Sequence, residues 1–151
     1  MKKLYAILLF ALSGVSASAQ PVETPVQWSF TVEKAGEGLY DLLFTADIAP
    51  GWYLYSQHLG EDGPIPTTIG FYENQDYELL GTTEEDGPKV EGMDALFGMH
   101  IVKYKKQATF TQRIQAGEGL QKVAGYVEFM TCDEEKCLPP TEVEFTFSFK
   151  E

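Results

Sequence analysis

The sequence is poor in basic residues. Its 151 residues include 11 Lys and Arg against 23 Asp and Glu, which gives a formal net charge of -12 at pH 7. Proteins that bind DNA or RNA neutralise phosphates with clustered Lys and Arg, and this chain has too few of them. The composition therefore argues against a nucleic-acid partner and predicts an acidic globular domain.

Long hydrophobic runs are absent after residue 20. At the N-terminus two lysines precede the apolar run 4–12, and Ala-Ser-Ala follows at 17–19. A basic start, a short apolar segment and a small-residue cleavage site are typical of a secretory signal peptide. We therefore expect a signal peptide over residues 1–19 and an exported mature chain, residues 20–151, that forms one domain and does not insert into a membrane.

A sustained 3.6-residue apolar period is also missing from the mature chain, so helices should be short or absent. Apolar and polar residues instead alternate along 26–32 and 40–48, and again along 123–130 and 143–149, which predict an antiparallel hairpin. Shorter strand candidates lie at 52–55, 68–72, 77–80, 100–105 and 109–114. The fold class is predicted to be all-β, an immunoglobulin-like antiparallel sandwich of roughly seven to nine strands.

The alternation also predicts which side chains face the core and which segments are loops. Two segments rich in Gly, Pro and acidic residues, 57–67 and 81–100, fit no strand and are predicted to be loops. The inward-facing residues predicted to be largely buried are Trp28, Phe30, Leu42, Phe44, Val127, Phe129, Phe145 and Phe147.

Cysteine is scarce, and the two present lie close together. Cys132 and Cys137 are separated by four residues and fall between the last two predicted strands. If those strands pair, both cysteines lie near the end of a ladder, within disulfide reach. A bridge that closes so short a loop stabilises a fold by only about 2 kcal/mol in the chain-entropy model. The spacing favours a redox-active pair, and a structural hairpin staple is the alternative.

The residues around the cysteines predict the character of their thiols. Residues 133–135 are Asp-Glu-Glu and disfavour a nearby thiolate, whereas only Lys136 favours it. This pair should be a less acidic dithiol, suited to a passive relay. Because His58 and His100 are scattered and the acidic triplet lacks the spacing of a calcium loop, we predict no metal site and no cofactor.

Three segments of the mature chain form a recognisable pattern. Residues 51–55 read Gly-Trp-Tyr-Leu-Tyr, residues 94–98 read Asp-Ala-Leu-Phe-Gly, and the cysteine pair is followed by Leu-Pro-Pro at 138–140. In order and separation they are similar to the aromatic strand, the cap loop and the cysteine segment of one family. The chain resembles the N-terminal periplasmic domain of the thiol:disulfide interchange protein DsbD.

The resemblance implies an immunoglobulin-like sandwich in the periplasm with a thiol:disulfide oxidoreductase type of activity. Such a domain takes electrons from a membrane-embedded thiol donor. It passes them to periplasmic disulfide-bearing proteins of the thioredoxin-like or isomerase type, including those of cytochrome c biogenesis. Since the sequence given ends at Glu151 without a membrane domain, we expect the donor to act in trans.

The resemblance also implies roles for individual residues. Cys132 and Cys137 would be the redox pair, and Tyr53 and Tyr55 would line the site. The cap loop would comprise Asp94, Leu96, Phe97 and Gly98, with Leu96 or Phe97 as the side chain that covers the cysteines.

A second class of function stays open at this stage. The chain could be a non-catalytic secreted β-sandwich that binds a protein or glycan, with Cys132 and Cys137 as a structural bridge. Its support is an exposed aromatic pair, Trp52 and Tyr53, together with the acidic segment 84–86.

Overall fold

The computed structural model describes residues 23–149, so the predicted signal peptide lies outside the described residues. This part of the chain has no helix, and hence none long and apolar enough to span a membrane. The predicted all-β class is confirmed, with eleven strands in place of seven to nine. They are β1 (Val26–Gly36), β2 (Leu39–Ile48), β3 (Tyr53–Tyr55), β4 (Thr68–Phe71), β5 (Tyr77–Asp86), β6 (Lys89–Asp94), β7 (Met99–Tyr104), β8 (Gln107–Ala116), β9 (Lys122–Phe129), β10 (Thr131–Cys132) and β11 (Thr141–Ser148).

The strands form three sheets in which every pair of neighbours is antiparallel. The first has the order β1-β2-β8-β5, the second β11-β9-β4, and the third β10-β3-β7-β6. The first two sheets pack face to face, and the rings of Phe44 on β2 and Phe145 on β11 lie 4.8 Å apart. The third sheet carries Cys132 at its edge strand.

Aromatic side chains fill the space between the first two sheets. Phe44, Phe110, Phe145 and Phe147 are buried, and edge-to-face contacts such as Phe44 with Phe147 connect the sheets. Six of the eight predicted inward residues are buried. The other two, Trp28 and Phe30, are half-buried because β1 is an edge strand, and both pack against the core.

The predicted hairpin near the end of the chain is confirmed. β9 pairs with β11 in a continuous register in which Val127 faces Val143 and Gly125 faces Phe145. A Cβ atom at Gly125 would clash with the carbonyl oxygen of Gly70 and with the ring of Phe145. Glycine is therefore required at 125, where β4 and the core both approach β9 closely.

The segment 81–100 is not the loop predicted from the sequence, whereas 57–67 is. Residues 81–100 contain the second half of β5, all of β6 and the start of β7. The inward positions of β5 hold polar residues, and Thr83 bonds to the buried Gln112 at 2.9 Å. Because a polar network covers this face, the strand lacks the apolar alternation by which strands are detected.

Candidate functional site

Cys132 and Cys137 form a disulfide at one edge of the third sheet. Cys132 pairs with Tyr53 of β3, and Cys137 lies opposite Cys132 in an antiparallel bridge with their Cα atoms 4.0 Å apart. The side chain of Asp133 shapes the intervening turn, since its Oδ1 accepts the N–H groups of Glu135 and Lys136 at 2.8 and 2.7 Å. The pair thus occupies the end of a ladder, as its spacing predicts.

The two cysteines differ in solvent exposure. Cys132 is completely buried in a cluster with Tyr55 and Ile101, whereas Cys137 is partly exposed and packs against that cluster. The cluster is separate from the main core between the first two sheets. A reagent therefore meets Cys137 first.

Tyr53 and Tyr55 project from the same face of β3, one at the rim and one inside. The hydroxyl of Tyr53 donates to Oε1 of Glu134 at 2.7 Å, and this bond raises the pKa of Tyr53. Tyr55 is fully buried, and its hydroxyl finds no hydrogen-bond partner within residues 23–149. Burial, followed by the negative charges of Asp94 and Glu134, raises the pKa of Tyr55, so its phenol stays protonated.

The segment 94–98 is a tight turn built around the Asp94 carboxylate. Oδ1 of Asp94 accepts the N–H of Leu96 at 2.9 Å and that of Phe97 at 3.4 Å, and its backbone oxygen accepts the N–H of Gly98 at 2.8 Å. Gly98 has φ +65°, a conformation that glycine adopts without strain. The sequence of the cap therefore matches the backbone that it adopts.

The turn places Phe97 against the cluster that contains Cys132. The Phe97 ring packs against the buried cluster, and its centre lies 6.0 Å from that of Tyr55 in an edge-to-face arrangement. Leu96 is 41% exposed and lines the adjacent cavity instead. Of the two candidate covering side chains, Phe97 is the one that packs against the cluster containing Cys132.

A cavity of about 240 Å³ opens between the cap and the cysteine turn. Asp94 and Leu96 line it from the cap, and Glu134 lines it from the turn. Lys103 forms part of its wall, with Nζ 2.8 Å from Oδ2 of Asp94 and 4.0 Å from the centre of the Tyr53 ring. Charged groups and the Tyr53 ring thus line this cavity beside the cysteine turn.

The ion pair sets the protonation state of Asp94. Burial would raise its pKa, but the hydrogen bonds from Lys103 and from the N–H of Leu96, with the Lys103 charge, lower the pKa below its usual value. The carboxylate is therefore ionised at neutral pH. Within the part of the chain that the structure describes, no group of three or more His, Cys, Asp and Glu side chains is placed to hold a metal ion.

Comparison with known families gives a match along most of the chain. A profile of the N-terminal domain of thiol:disulfide interchange protein DsbD matches residues 18–148. The chain belongs to the DsbD N-terminal domain family. Comparison with curated proteins gave no match.

Two solved structures share the fold of this DsbD-type domain. The N-terminal periplasmic domain of ScsB from Proteus mirabilis has a TM-score of 0.63 at 20% identity, over 86% of this chain and 49% of that one. The N-terminal domain of Neisseria meningitidis DsbD in the reduced form has a TM-score of 0.53 at 18% identity, over 82% of this chain and 86% of that one. The chain therefore spans about half the length of the ScsB chain. The predicted immunoglobulin-like sandwich is confirmed.

The DsbD-type site contains residues that the sequence analysis missed. Lys103 occupies an inward position of β7, in step with Met99 and Ile101, and a lysine at such a position could have signalled an ion pair. Glu134 was read only as a local charge, although it accepts a hydrogen bond from Tyr53. Leu59, from the loop after β3, packs against the cysteine cluster.

The support for a binding module is weaker in the structure than in the sequence. Trp52 is half-buried and packs against the main core. The ring of Tyr53 contacts the ammonium group of Lys103, and its hydroxyl bonds to Glu134. The acidic segment 84–86 belongs to β5 rather than to a loop. These residues therefore do not form an exposed aromatic surface.

Proposed function

We propose that this chain is an exported thiol:disulfide interchange domain that relays reducing equivalents through Cys132 and Cys137. The donor is a membrane-embedded thiol protein, and the acceptors are periplasmic disulfide-bearing proteins of the thioredoxin-like or isomerase type. Membership of the DsbD N-terminal family supports the reaction class. The observation that carries the proposal is the placement of the disulfide, with Cys137 partly exposed and Phe97 packed over the cluster.

The placement favours exchange over a structural staple. The disulfide links the two ends of one short turn, and Leu138 N–H already donates to the Thr131 oxygen at 2.9 Å across the same ends. In the chain-entropy model so short a loop contributes only about 2 kcal/mol. The bridge therefore adds little to the stability of a sandwich whose core lies elsewhere.

The difference in exposure favours one order of steps. A donor thiolate attacks Sγ of Cys137, the S–S bond breaks, and Cys132 leaves as a thiolate that takes up a proton. The second donor thiol loses its proton and attacks the donor sulfur of the mixed disulfide. Cys137 leaves as a thiolate that takes up a proton, and the donor is left as a disulfide, so two electrons and two protons have entered the domain. Toward an acceptor, Cys137 loses its proton and attacks the acceptor disulfide, and the acceptor sulfur that leaves takes up a proton. Cys132 then loses its proton and displaces the second acceptor sulfur, which is protonated in turn, and the Cys132–Cys137 disulfide forms again.

The remaining site residues have supporting roles in this proposal. Tyr53 and Tyr55 line the site, and Phe97 is the covering side chain. Asp94 and Gly98 shape the turn that carries Phe97, and Leu96 forms the wall of the neighbouring cavity.

A redox titration tests the proposal. The purified domain is equilibrated with glutathione buffers, and the fraction of Cys132–Cys137 disulfide is measured by alkylation. We expect a potential between about -270 and -180 mV, the range from thioredoxin to protein disulfide isomerase. A potential below about -300 mV would identify a structural bridge.

Trapping tests the order of steps independently. Cys132→Ala leaves the partly exposed Cys137, and Cys137→Ala leaves the buried Cys132. The partner is a thioredoxin-like protein whose resolving cysteine is removed and whose remaining cysteine is held as a mixed disulfide with thionitrobenzoate. The first variant should displace thionitrobenzoate and form a stable mixed disulfide with this partner much faster than the second. Equal rates, or a faster reaction at Cys132, would contradict the assignment of Cys137 as the attacked sulfur.

A further inference from the structure

The loop that follows β3 is closed at its base. Thr67 Oγ1 donates to the backbone oxygen of Tyr55 at 2.5 Å, and both Ser56 and Thr67 are buried. Residues 57–66 therefore leave the sheet and return to nearly the same place. Such compact closed loops are often functional.

The loop reaches the cluster that contains Cys132. Leu59 packs against the cluster that contains Cys132, and so does Met99, the first residue of β7 after the cap. Gly60 and Gly63 both lie beside Met99, since a Cβ at Gly63 would be 3.1 Å from the Met99 sulfur. Met99 thus contacts the loop in space and directly follows the cap in the sequence.

A carboxylate from β5 holds the base of this loop. The hydroxyl of Ser56 donates to Oε1 of Glu85, and the backbone N–H of Gln57 donates to Oε2 at 2.8 Å. The Gln57 side chain reaches Oε2 at 3.4 Å and the Thr83 oxygen at 3.2 Å. Burial would raise the pKa of Glu85, but the hydrogen bonds from Ser56 and Gln57 lower it, so these bonds are charge-assisted at neutral pH.

We propose that loop 57–66 is a second shield over the Cys132–Cys137 disulfide, and that Glu85 is the positioning residue that keeps it closed. The inference rests on the proposed exchange function. It adds a gate that the cap does not supply. Exchange requires a thiolate to approach a sulfur directly, so the fraction of time that Leu59 is displaced limits the rate.

A shield of this kind affects the rate of disulfide reduction but not the redox potential. Glu85 and Leu59 belong to segments outside the cysteine turn, so loosening the loop changes access more than the relative stability of disulfide and dithiol. Losing a charge-assisted hydrogen bond at the base should raise the open population, and hence the rate, by about tenfold.

The test compares Glu85→Ala and Leu59→Ala with Glu84→Ala. Glu84 is the exposed neighbour on β5 and carries the same charge without bonding to the loop. For each variant we would measure the rate of disulfide reduction by dithiothreitol, the potential against glutathione and the urea midpoint of unfolding. We expect about tenfold faster reduction for the first two variants at an unchanged potential, and the parent rate for Glu84→Ala.

Further variants keep the result decisive. Glu85→Gln keeps an acceptor oxygen but loses the charge, and its rate should fall between the parent and Glu85→Ala. If Glu85→Ala does not fold, Leu59→Ala carries the test, because Leu59 is only half-buried. Parent rates in folded Leu59→Ala, or equal acceleration in Glu84→Ala, would overturn the shield. A potential below about -300 mV with gated reduction would instead overturn the proposed function and leave the shield in place.

Discussion

The ammonium group of Lys103 lies 2.8 Å from the carboxylate of Asp94, and both side chains are largely buried. The same ammonium lies 4.0 Å from the centre of the Tyr53 ring, whose hydroxyl bonds to Glu134 in the cysteine turn. Lys103 therefore connects the residue that builds the cap with the turn that holds the two sulfurs. We therefore expect this ion pair to stabilise the closed conformation of the cap.

Removing one partner of the ion pair between Lys103 and Asp94 should open the cap. Lys103→Met leaves the Asp94 carboxylate buried without its cation, a change that costs about 3 to 5 kcal/mol for a buried pair. Hydrogen exchange at the amides of Leu96 and Phe97, which bond to Asp94, should become much faster than in the parent. The double variant with Asp94→Asn should recover part of the loss, and no recovery would show that the pair is not coupled.

The same carboxylate predicts a dependence on pH. Because the native pKa of Asp94 is lowered from 3.8, its contribution to stability is present above that value and is lost as pH falls through the native pKa. In urea unfolding measured from about pH 6 to pH 2, the parent should lose stability more steeply below about pH 4 than Asp94→Asn does. Parallel curves for the two proteins would contradict the predicted contribution.

The two apolar side chains of the cap should behave differently. Phe97→Ala removes the ring that packs on the cysteine cluster, whereas Leu96→Ala trims a side chain that is 41% exposed. Since a half-buried ring contributes roughly 1 to 2 kcal/mol, Phe97→Ala should speed disulfide reduction by dithiothreitol about tenfold, and Leu96→Ala should change it little. If only Leu96→Ala accelerates the reaction, Leu96 is the covering residue.

The aromatic core predicts the largest loss of stability. Phe145 is 3% exposed and its ring contacts Phe30, Phe44 and Phe71. Phe145→Ala should lower the free energy of unfolding by about 3 to 5 kcal/mol in urea denaturation. The matched control is Thr146→Ala on the exposed face of the same strand, expected to cost less than about 1 kcal/mol. A loss below about 1 kcal/mol at Phe145 would contradict the assignment of this residue to the buried face of β11.

The parts of the fold with a simple apolar alternation could be predicted from the sequence. β9 and β11 alternate cleanly because one face of each strand meets the core, and their pairing is confirmed. β5 was only partly found because Thr83 and Glu85 occupy its inward positions and bond to other polar groups. Periodicity reports apolar burial, so a strand that buries hydrogen-bonded polar groups escapes it.

The candidate site shows the same division. Cys132 and Cys137 were predicted as a pair because their spacing suits the end of a ladder. Lys103 and Leu59 could not be assigned to the site, since each reaches it from a segment distant in the sequence. Long-range contacts of this kind depend on the packing of the third sheet, which local patterns do not encode.

The cysteine turn has a consequence for the lifetime of intermediates. Asp133 N–H donates to the Lys136 oxygen at 2.9 Å, and Leu138 N–H donates to the Thr131 oxygen, so backbone contacts that do not involve sulfur hold the two cysteines opposite each other. A reduced pair then keeps a high effective molarity of one thiol toward the other. Under the proposed exchange, Cys132 displaces a partner joined to Cys137 within the same molecule, faster than a second partner can arrive. The proposed cycle therefore alternates between the disulfide and the dithiol with little accumulation of mixed disulfides, and we expect each partner to be released quickly.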